Sequence, residues 1–362
     1  MSVRSAQVRG RVELSEARPQ DAVNAGRVWN SMVVPQCKVV FVNVSKNAST
    51  SLKWLTAELS GQDPATFHSV MGLAPTRQQT IHRRASWVGV PKLTELDADA
   101  RAEISPDNGW FIFGVIRDPR LRAWSAWQSK FLVGNPRHAW HKFRDAPWMP
   151  RVPRDDDDVV ADFARFVEAL GGPDGDELLS DSHFKPQTEL LSEDVVPYSN
   201  IYEVSELSLL LADLRTHLEA QGLEGTYQLT RENETPLSVA GRVFGTDVLE
   251  TLNGIYAGDI ERFGQLWDFD AVLAKDPTWS QEAFRDIAGR VATGQRIADL
   301  ALGADSLRAN VRELEKARRA DQREIGRLQT RVADLEAALE RRTIRGLPGA
   351  VAGRVRRTFS GS

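Results

Sequence analysis

Lys38 to Leu59, KVVFVNVSKNASTSLKWLTAEL, limits what this chain can fold into more than any other stretch. Val39, Val40, Phe41, Val42 and Val44 form a short apolar, β-branched run of the kind that makes a buried strand, and Leu52, Trp54, Leu55 and Leu59 continue at helical spacing. The turn between them carries Lys46, Asn47, Ala48, Ser49, Thr50 and Ser51. A strand feeding a hydroxyl-rich turn and then a helix leaves free backbone N–H groups and the positive end of the helix dipole aimed at one spot, which suits a bound phosphate or sulfate. Lys46 adds a full charge there.

A second unit of the same kind follows about 70 residues later. Trp110 to Ile116, WFIFGVI, reads as another buried strand that ends at Arg117-Asp118-Pro119, and Leu121, Trp124, Ser125, Trp127, Gln128 and Phe131 follow with helical spacing. Further on, Ser199 to Val204 reads as a strand running into a helix from Ser205 to Gln221, and Asp247 to Gly264 reads as one helix. Apolar strands alternating with helices predict an α/β protein with a mostly parallel, P-loop-like sheet flanked by helices. Both turns then lie at the carboxyl edge of the sheet, where Lys46 with its hydroxyls and Arg117 with Ser125 can grip two phosphate groups of one ligand. Lys46 has no GxxxxG before it, which disfavours an ATP or GTP hydrolase.

The remaining segments set the domain organisation. Residues 1–35 read as a lead-in of little periodicity, 36–280 as the α/β domain, 281–342 as a helical coiled coil and 343–362 as a basic tail. Asp155 to Asp158 reads as the acidic start of the helix Val159 to Leu170 rather than a metal site, because consecutive side chains diverge. In the coil, Val311, Arg318, Ile325, Val332 and Leu339 occupy one heptad position, and Leu307, Leu314, Asp321, Leu328 and Leu335 its partner. β-branched residues at the first position with Leu at the second favour a parallel dimer, and a long helix folded back on the body is the alternative. The tail carries Arg341, Arg342, Arg345, Arg354, Arg356 and Arg357 and no acid after Glu340, which leaves open contact with anionic lipid at an inner membrane face or with a polyanionic substrate.

Composition excludes several classes. One cysteine, Cys37, permits no internal disulfide and no Cys-rich zinc or iron–sulfur site, so a reducing, cytoplasmic compartment and a metal-free chemistry are expected. No apolar run approaches the roughly 18 residues of a membrane span, and the first 30 residues hold no signal-peptide apolar segment. The net charge is −4, but residues 303–362 carry 14 Arg and Lys against 8 Asp and Glu, so the body is the more acidic part. That polarity argues against a nucleic-acid-binding body.

At its motifs the chain resembles the carbohydrate sulfotransferases of the heparan 2-O and chondroitin 4-O type. VNVSKNASTSLKWL is similar to that family's 5'-phosphosulfate loop, and VIRDPRLRAWSAWQSKF to its 3'-phosphate motif. SHFKPQTELL resembles the H-W/F-x-P-Q segment of many members, and IYAGDIERFGQ the late Y-x-x-D-x-x-x-F-G signature, so that the likeness spans about residues 36–268. It implies transfer of a sulfuryl group from 3'-phosphoadenylyl sulfate (PAPS) to a hydroxyl of a carbohydrate or glycoconjugate. It also implies that Lys46, Asn47, Ala48, Ser49, Thr50 and Ser51 hold the 5'-phosphosulfate, and Arg117 and Ser125 the 3'-phosphate.

A general base must take the acceptor's proton, and histidine has a suitable pKa. His82, between the two phosphate motifs, occupies the place of the family's catalytic histidine, although Arg83 and Arg84 depart from the family pattern there. His183 is the second candidate, with a carboxylate or another histidine left open. His68, His138, His141 and His217 read as surface or packing residues. For an anionic glycan, Arg77, Arg83, Arg84, Arg137, Lys142 and Arg144 supply charge, and Trp124, Trp127, Trp140 and Trp148 supply rings to stack on sugars. A small-molecule or nucleoside kinase, and a non-enzymatic coiled-coil assembly protein with a nucleotide-binding body, are the competing readings.

Overall fold

The two apolar runs become neighbouring parallel strands. In the computed structural model, which describes residues 12, 14, 27–67, 77–225, 227–229 and 235–345, one sheet has the order β1 (Ser31–Val34), β2 (Val39–Val42), β3 (Phe111–Ile116), β4 (Asn200–Glu203). β2, β3 and β4 are parallel, with Val39 opposite Phe111 and Phe113 opposite Asn200, whereas β1 runs antiparallel to β2. The labelled helices are α1 (Ser49–Leu59), α2 (Pro119–Trp127), α3 (Asp156–Gly171), α4 (Gln187–Leu191), α5 (Leu207–Ala220), α6 (Thr246–Ile255), α7 (Ala257–Phe263) and α8 (Gln281–Arg345). This is a mixed α/β architecture with a long C-terminal helix. The chain divides into two compact units, residues 1–298 and 299–362.

Side chains of β3 alternate between two layers, as the two-residue period of a strand requires. Phe111, Phe113 and Val115 pack with Phe41, Leu52, Leu55, Tyr202 and Leu210, under α1 and α5, while Ile112 and Ile116 pack with Val40, Val42, Leu191, Ile201 and Phe263 on the other face. Phe41 stacks on Phe113 with ring centroids 5.2 Å apart, an aromatic pair worth about 0.5–1.5 kcal/mol beyond its area. Gly114 has a packing reason: a Cβ there would stand 2.7 Å from Leu191 Cδ2. A separate aromatic cluster holds Trp124, Trp127, Phe131, Phe163, Phe166 and Phe184 between α2 and α3.

Three expectations change. Ser31–Val34, expected within the lead-in, is a fully buried strand; four residues are too few to show a period, and Pro35 starts the turn into β2. The helix expected over Asp247–Gly264 breaks at Tyr256, whose buried ring donates its hydroxyl to the Phe184 carbonyl at 2.7 Å. Trp124, Trp127 and Trp148 are core residues at 2%, 0% and 4% exposure, so none of them is available to stack on a sugar.

Other local readings are found as expected. Asp155 caps α3 by accepting from the Asp158 N–H, with Asp156, Asp157 and Asp158 in the first turn. His217 is a packing residue: its Nε2 donates to the Cys37 carbonyl at 2.8 Å and its ring stacks on Phe111. In the second unit, helix α8 continues to Arg345, and the apolar heptad residues from Leu307 to Leu339 stand exposed. No helix among the described residues is long and apolar enough to cross a membrane. His68 and most of the basic tail lie outside the described residues.

Candidate active site

The turn after β2 is wound tightly enough to put two non-glycine residues in the left-handed region, Lys46 at φ 75 and Ala48 at φ 54. Such conformations cost energy and persist where surrounding contacts hold them. Here the holding group is Asn47, 1% exposed, whose Nδ2 donates to the Val115 carbonyl at 2.8 Å and to Gln187 Oε1 at 2.7 Å. Its side chain is therefore turned into the protein, and any ligand contact it makes comes from its backbone. Ala48 occupies the N-cap of α1 with no side chain to cap it, so the first turn of Ser49, Thr50 and Ser51 presents an uncapped helix start.

Gln187 ties this turn to the one after β3. Its Oε1 also accepts from the Arg117 N–H at 3.1 Å, and its Nε2 donates to the Arg117 carbonyl at 2.8 Å. Beneath it, Asp259 accepts from the Gln187 and Thr188 N–H groups and from Thr188 Oγ1, at 2.8–2.9 Å. The SHFKPQTELL and IYAGDIERFGQ segments thus serve as the fixed floor that sets the spacing of the two turns. Arg122, 0% exposed, is a second tie: it donates to the carbonyls of Ser45, Lys185 and Ser182 at 2.8–3.0 Å.

Cations gather above this floor. Lys46 Nζ donates to Ser129 Oγ at 2.9 Å, and Lys53 Nζ meets His82 Nδ1 at 3.0 Å. Burial, then Lys130, Arg117 and Arg122, push Lys46 down to about 7. Burial and Lys130 push Lys53 down to about 8, and burial brings Lys130 itself to about 8. Ser129 and Lys130 belong to the π-helical turn Gln128–Leu132 that prolongs α2, a distortion frequent at functional sites. Burial also lowers Arg117; its neighbour Asp118 is gripped by Arg120 at 2.7–3.0 Å, so the Arg117–Asp118 ion pair does not form. Ser125, 6% exposed, lies one helical turn before Ser129.

The two histidine candidates sit differently. His82 Nε2 is 3.1 Å from Thr50 Oγ1 while Nδ1 faces Lys53, so both ring nitrogens are engaged. His82 is exposed at the surface, yet desolvation and then Lys53, Lys130, His183 and Lys46 lower its proton affinity and favour the neutral ring. His183 Nδ1 lies 2.5 Å from Asp181 Oδ1, and the same oxygen accepts the His183 backbone N–H at 2.9 Å. Burial, then Lys130, hold His183 well below the usual histidine range despite Asp181. Next to it, Ser182 Oγ stands 3.2 Å from Ser45 Oγ, immediately before Lys46.

Asp181 also meets His138 Nε2 through its other oxygen, at 3.1 Å. Burial raises this carboxyl, but the hydrogen bonds from His138 and His183 outweigh it and keep it ionised. The ligand atoms of His138, Asp181 and His183 lie within 4.8 Å of one another, close enough to consider a metal. Both carboxylate oxygens, however, already accept from histidines, and the adjacent charges are those of Lys130 and Arg137, which repel a cation. The arrangement suits an oriented imidazole better than a metal centre.

Several predicted residues fall outside this group. Arg84 is paired with Glu95 and donates to the Val90 carbonyl, and Lys142 is paired with Glu177. Arg144 lies over the Trp140 ring. Lys53, Ser129 and Asp181 were not singled out by sequence, Arg122 was only a motif letter, and His138 was read as a surface or packing residue. Lys53 lies one helical turn after Ser49 in α1, and Asp181-x-His183 is a short acid–histidine spacing that could have marked the dyad.

A family model described as "Sulfotransferase family" matches residues 29–265. No curated protein and no solved structure matches the chain.

Proposed function

From the premise that this chain belongs to the sulfotransferase family, we propose that it transfers a sulfuryl group from PAPS to a hydroxyl of a carbohydrate or glycoconjugate. The observation that carries this reading is the group of Lys46, Lys53 and Lys130, part-buried ammonium groups of which Lys130 lowers the proton affinity of both others. Like charges brought together out of water are unfavourable unless a polyanion joins them. A phosphosulfate is such a ligand, and an uncapped helix start beside Lys46 adds N–H donors for it.

In this reading Lys46, Ser49, Thr50, Ser51 and the turn amides hold the 5'-phosphosulfate, while Arg117 and Ser125 hold the 3'-phosphate. The acceptor oxygen forms a bond to sulfur as the bond from sulfur to the 5'-phosphate oxygen breaks. Lys46 stabilises the charge that develops on that leaving oxygen. The acceptor's proton passes to His183 Nε2, for which no hydrogen-bond partner is found among the described residues. Asp181 fixes the tautomer with the proton on Nδ1 and stabilises the imidazolium once formed. The products are the sulfated acceptor and adenosine 3',5'-bisphosphate.

His82 fits a different part in this scheme. With Nδ1 accepting from the Lys53 ammonium, its one proton is on Nε2, donated to Thr50, and no lone pair is left for the acceptor. It then orders the donor site. The anionic-glycan reading retains Arg137 as an acceptor contact; the side chain of Arg77 lies outside the described residues.

A kinase reading predicts a different ligand. Adenosine 3',5'-bisphosphate at a hundredfold excess over its Kd raises stability by about 2.7 kcal/mol, read as a rise in melting temperature. Stabilisation by this nucleotide and not by ATP is expected; stabilisation by ATP alone would overturn the assignment.

A further inference from the structure

The second unit carries a self-complementary seam. Its described residues form a single helix, and the apolar heptad residues along it are 53% to 70% exposed, including Leu307, Val311, Leu314, Ile325, Leu328 and Val332. Over the roughly 40 residues from Leu300 to Leu339 the stripe runs about 60 Å at 1.5 Å per residue. A helix with so long an apolar edge gains stability by covering it with another helix.

The occupant is indicated by the two charged residues inside the stripe. Arg318 and Asp321 take successive seam positions. At the same spacing of three residues, Asp305 pairs with Arg308, Glu313 with Lys316 and Glu324 with Arg327, yet among the described residues no ion pair joins Arg318 to Asp321. A parallel pair of these helices would stack Arg318 on Arg318 and Asp321 on Asp321, two like-charge layers in succession. An antiparallel pair does the reverse. With a twofold axis passing between Arg319 and Ala320, Arg318 of each copy faces Asp321 of the other, and two ion pairs form at the centre.

The same axis also pairs every flanking layer. It sets Leu314 against Ile325, Val311 against Leu328, Leu307 against Val332 and Ala304 against Leu335 of the second copy, all apolar. A sequence that is palindromic in this sense is complementary to itself, and an unrelated partner would not require it. The β-branched first position favours the parallel order, and so does Arg331 facing Glu336 at the rim of a parallel pair. A rim pair is solvated and weak, whereas the Arg318 and Asp321 layers lie within the seam, where like charges are most costly.

We infer that residues 300–339 assemble two copies of this chain into an antiparallel coiled coil centred on reciprocal Arg318–Asp321 ion pairs. The inference rests on the second unit and is independent of the reaction. It is tested on the full chain with two separate single variants, Leu307→Cys and Val332→Cys, each purified reduced, then mixed and oxidised. The buried Cys37 is the only native thiol, and the parent chain serves as its control. A disulfide-linked dimer from the mixture, with none from either variant alone, is expected, because 307 and 332 meet only across an antiparallel pair. A linked dimer from either variant alone would overturn the polarity. A single-chain mass by sedimentation together with no cross-link would overturn the dimer. Arg318→Asp sets four acids at the centre and is expected to weaken the dimer at least tenfold, with Asp321→Arg added to it restoring association. A dimer indifferent to Arg318→Asp contradicts the proposal.

Discussion

Asn47 and Gln187 join their side-chain amides at 2.7 Å, 140 residues apart in sequence, beneath the turn that carries Lys46. Because Gln187 also bonds both backbone groups of Arg117, the turns after β2 and β3 share one buried fixture. Loss of a buried partner leaves the remaining donors and acceptors unsatisfied, at about 1–3 kcal/mol each. Gln187→Leu should therefore lower unfolding stability by about 2–4 kcal/mol in urea titration and weaken nucleotide binding. A variant as stable as the parent would show that the amide network does not hold the turns.

Lys46→Met separates stability from activity. It removes a cation crowded by Lys130, Arg117 and Arg122, so the ligand-free protein should gain about 0.5–2 kcal/mol in thermal or urea unfolding. The same change deletes the charge assigned to the leaving phosphate, and turnover should fall by about 10²-fold or more. A destabilised variant would mean that the Lys46 contact to Ser129 matters more than its crowding.

The depressed lysines give the free protein a pH dependence of known sign. Lys46 sits at about 7 and Lys53 and Lys130 at about 8 in the folded chain, against 10.5 for an ordinary lysine. Between these values the unfolded chain holds more protons than the folded one, so stability rises with pH. Below about pH 7 all three are charged in both states and the penalty is full. The rise should be visible from pH 7 to 9, before the raised tyrosines Tyr198 and Tyr256 begin to act in the opposite sense. Adenosine 3',5'-bisphosphate should restore the lysine charges, so its binding at pH 8.5 should take up protons. Calorimetry in buffers of different ionisation heat measures that uptake, and proton release would contradict the assignment.

His183→Gln and Asp181→Asn test the base. His183→Gln should reduce kcat by about 10²–10⁴-fold with nucleotide affinity little changed. Asp181→Asn should reduce kcat and shift its pH profile, because the carboxylate that orients the imidazole is gone. His82→Ala should act chiefly on donor affinity. A His183→Gln enzyme with full turnover would return the role to His82 or to a carboxylate.

Much of this could be read locally. The Val39–Val44 run with its hydroxyl turn and the WFIFGVI run with its RDP turn each lie within about a dozen residues, and the two runs proved to be adjacent parallel strands with both turns at one edge. What depended on distant contacts could not. Gln187 and Asp259 were visible as motif letters, but their work as a floor depends on bonds across about 70 residues and more. Trp124 and Trp127 have the spacing of an exposed aromatic face as much as a core one, and only packing against Phe163 decides between them. β1 was too short to announce itself.

Transfer of radiolabelled sulfate from PAPS to a panel of glycans, run with the parent enzyme, Lys46→Met and His183→Gln side by side, tests the central claim most directly. The account predicts labelled glycan with the parent, equal release of adenosine 3',5'-bisphosphate, and loss of label with both variants. Parent enzyme that labels no acceptor and gains no stability from PAPS would contradict it.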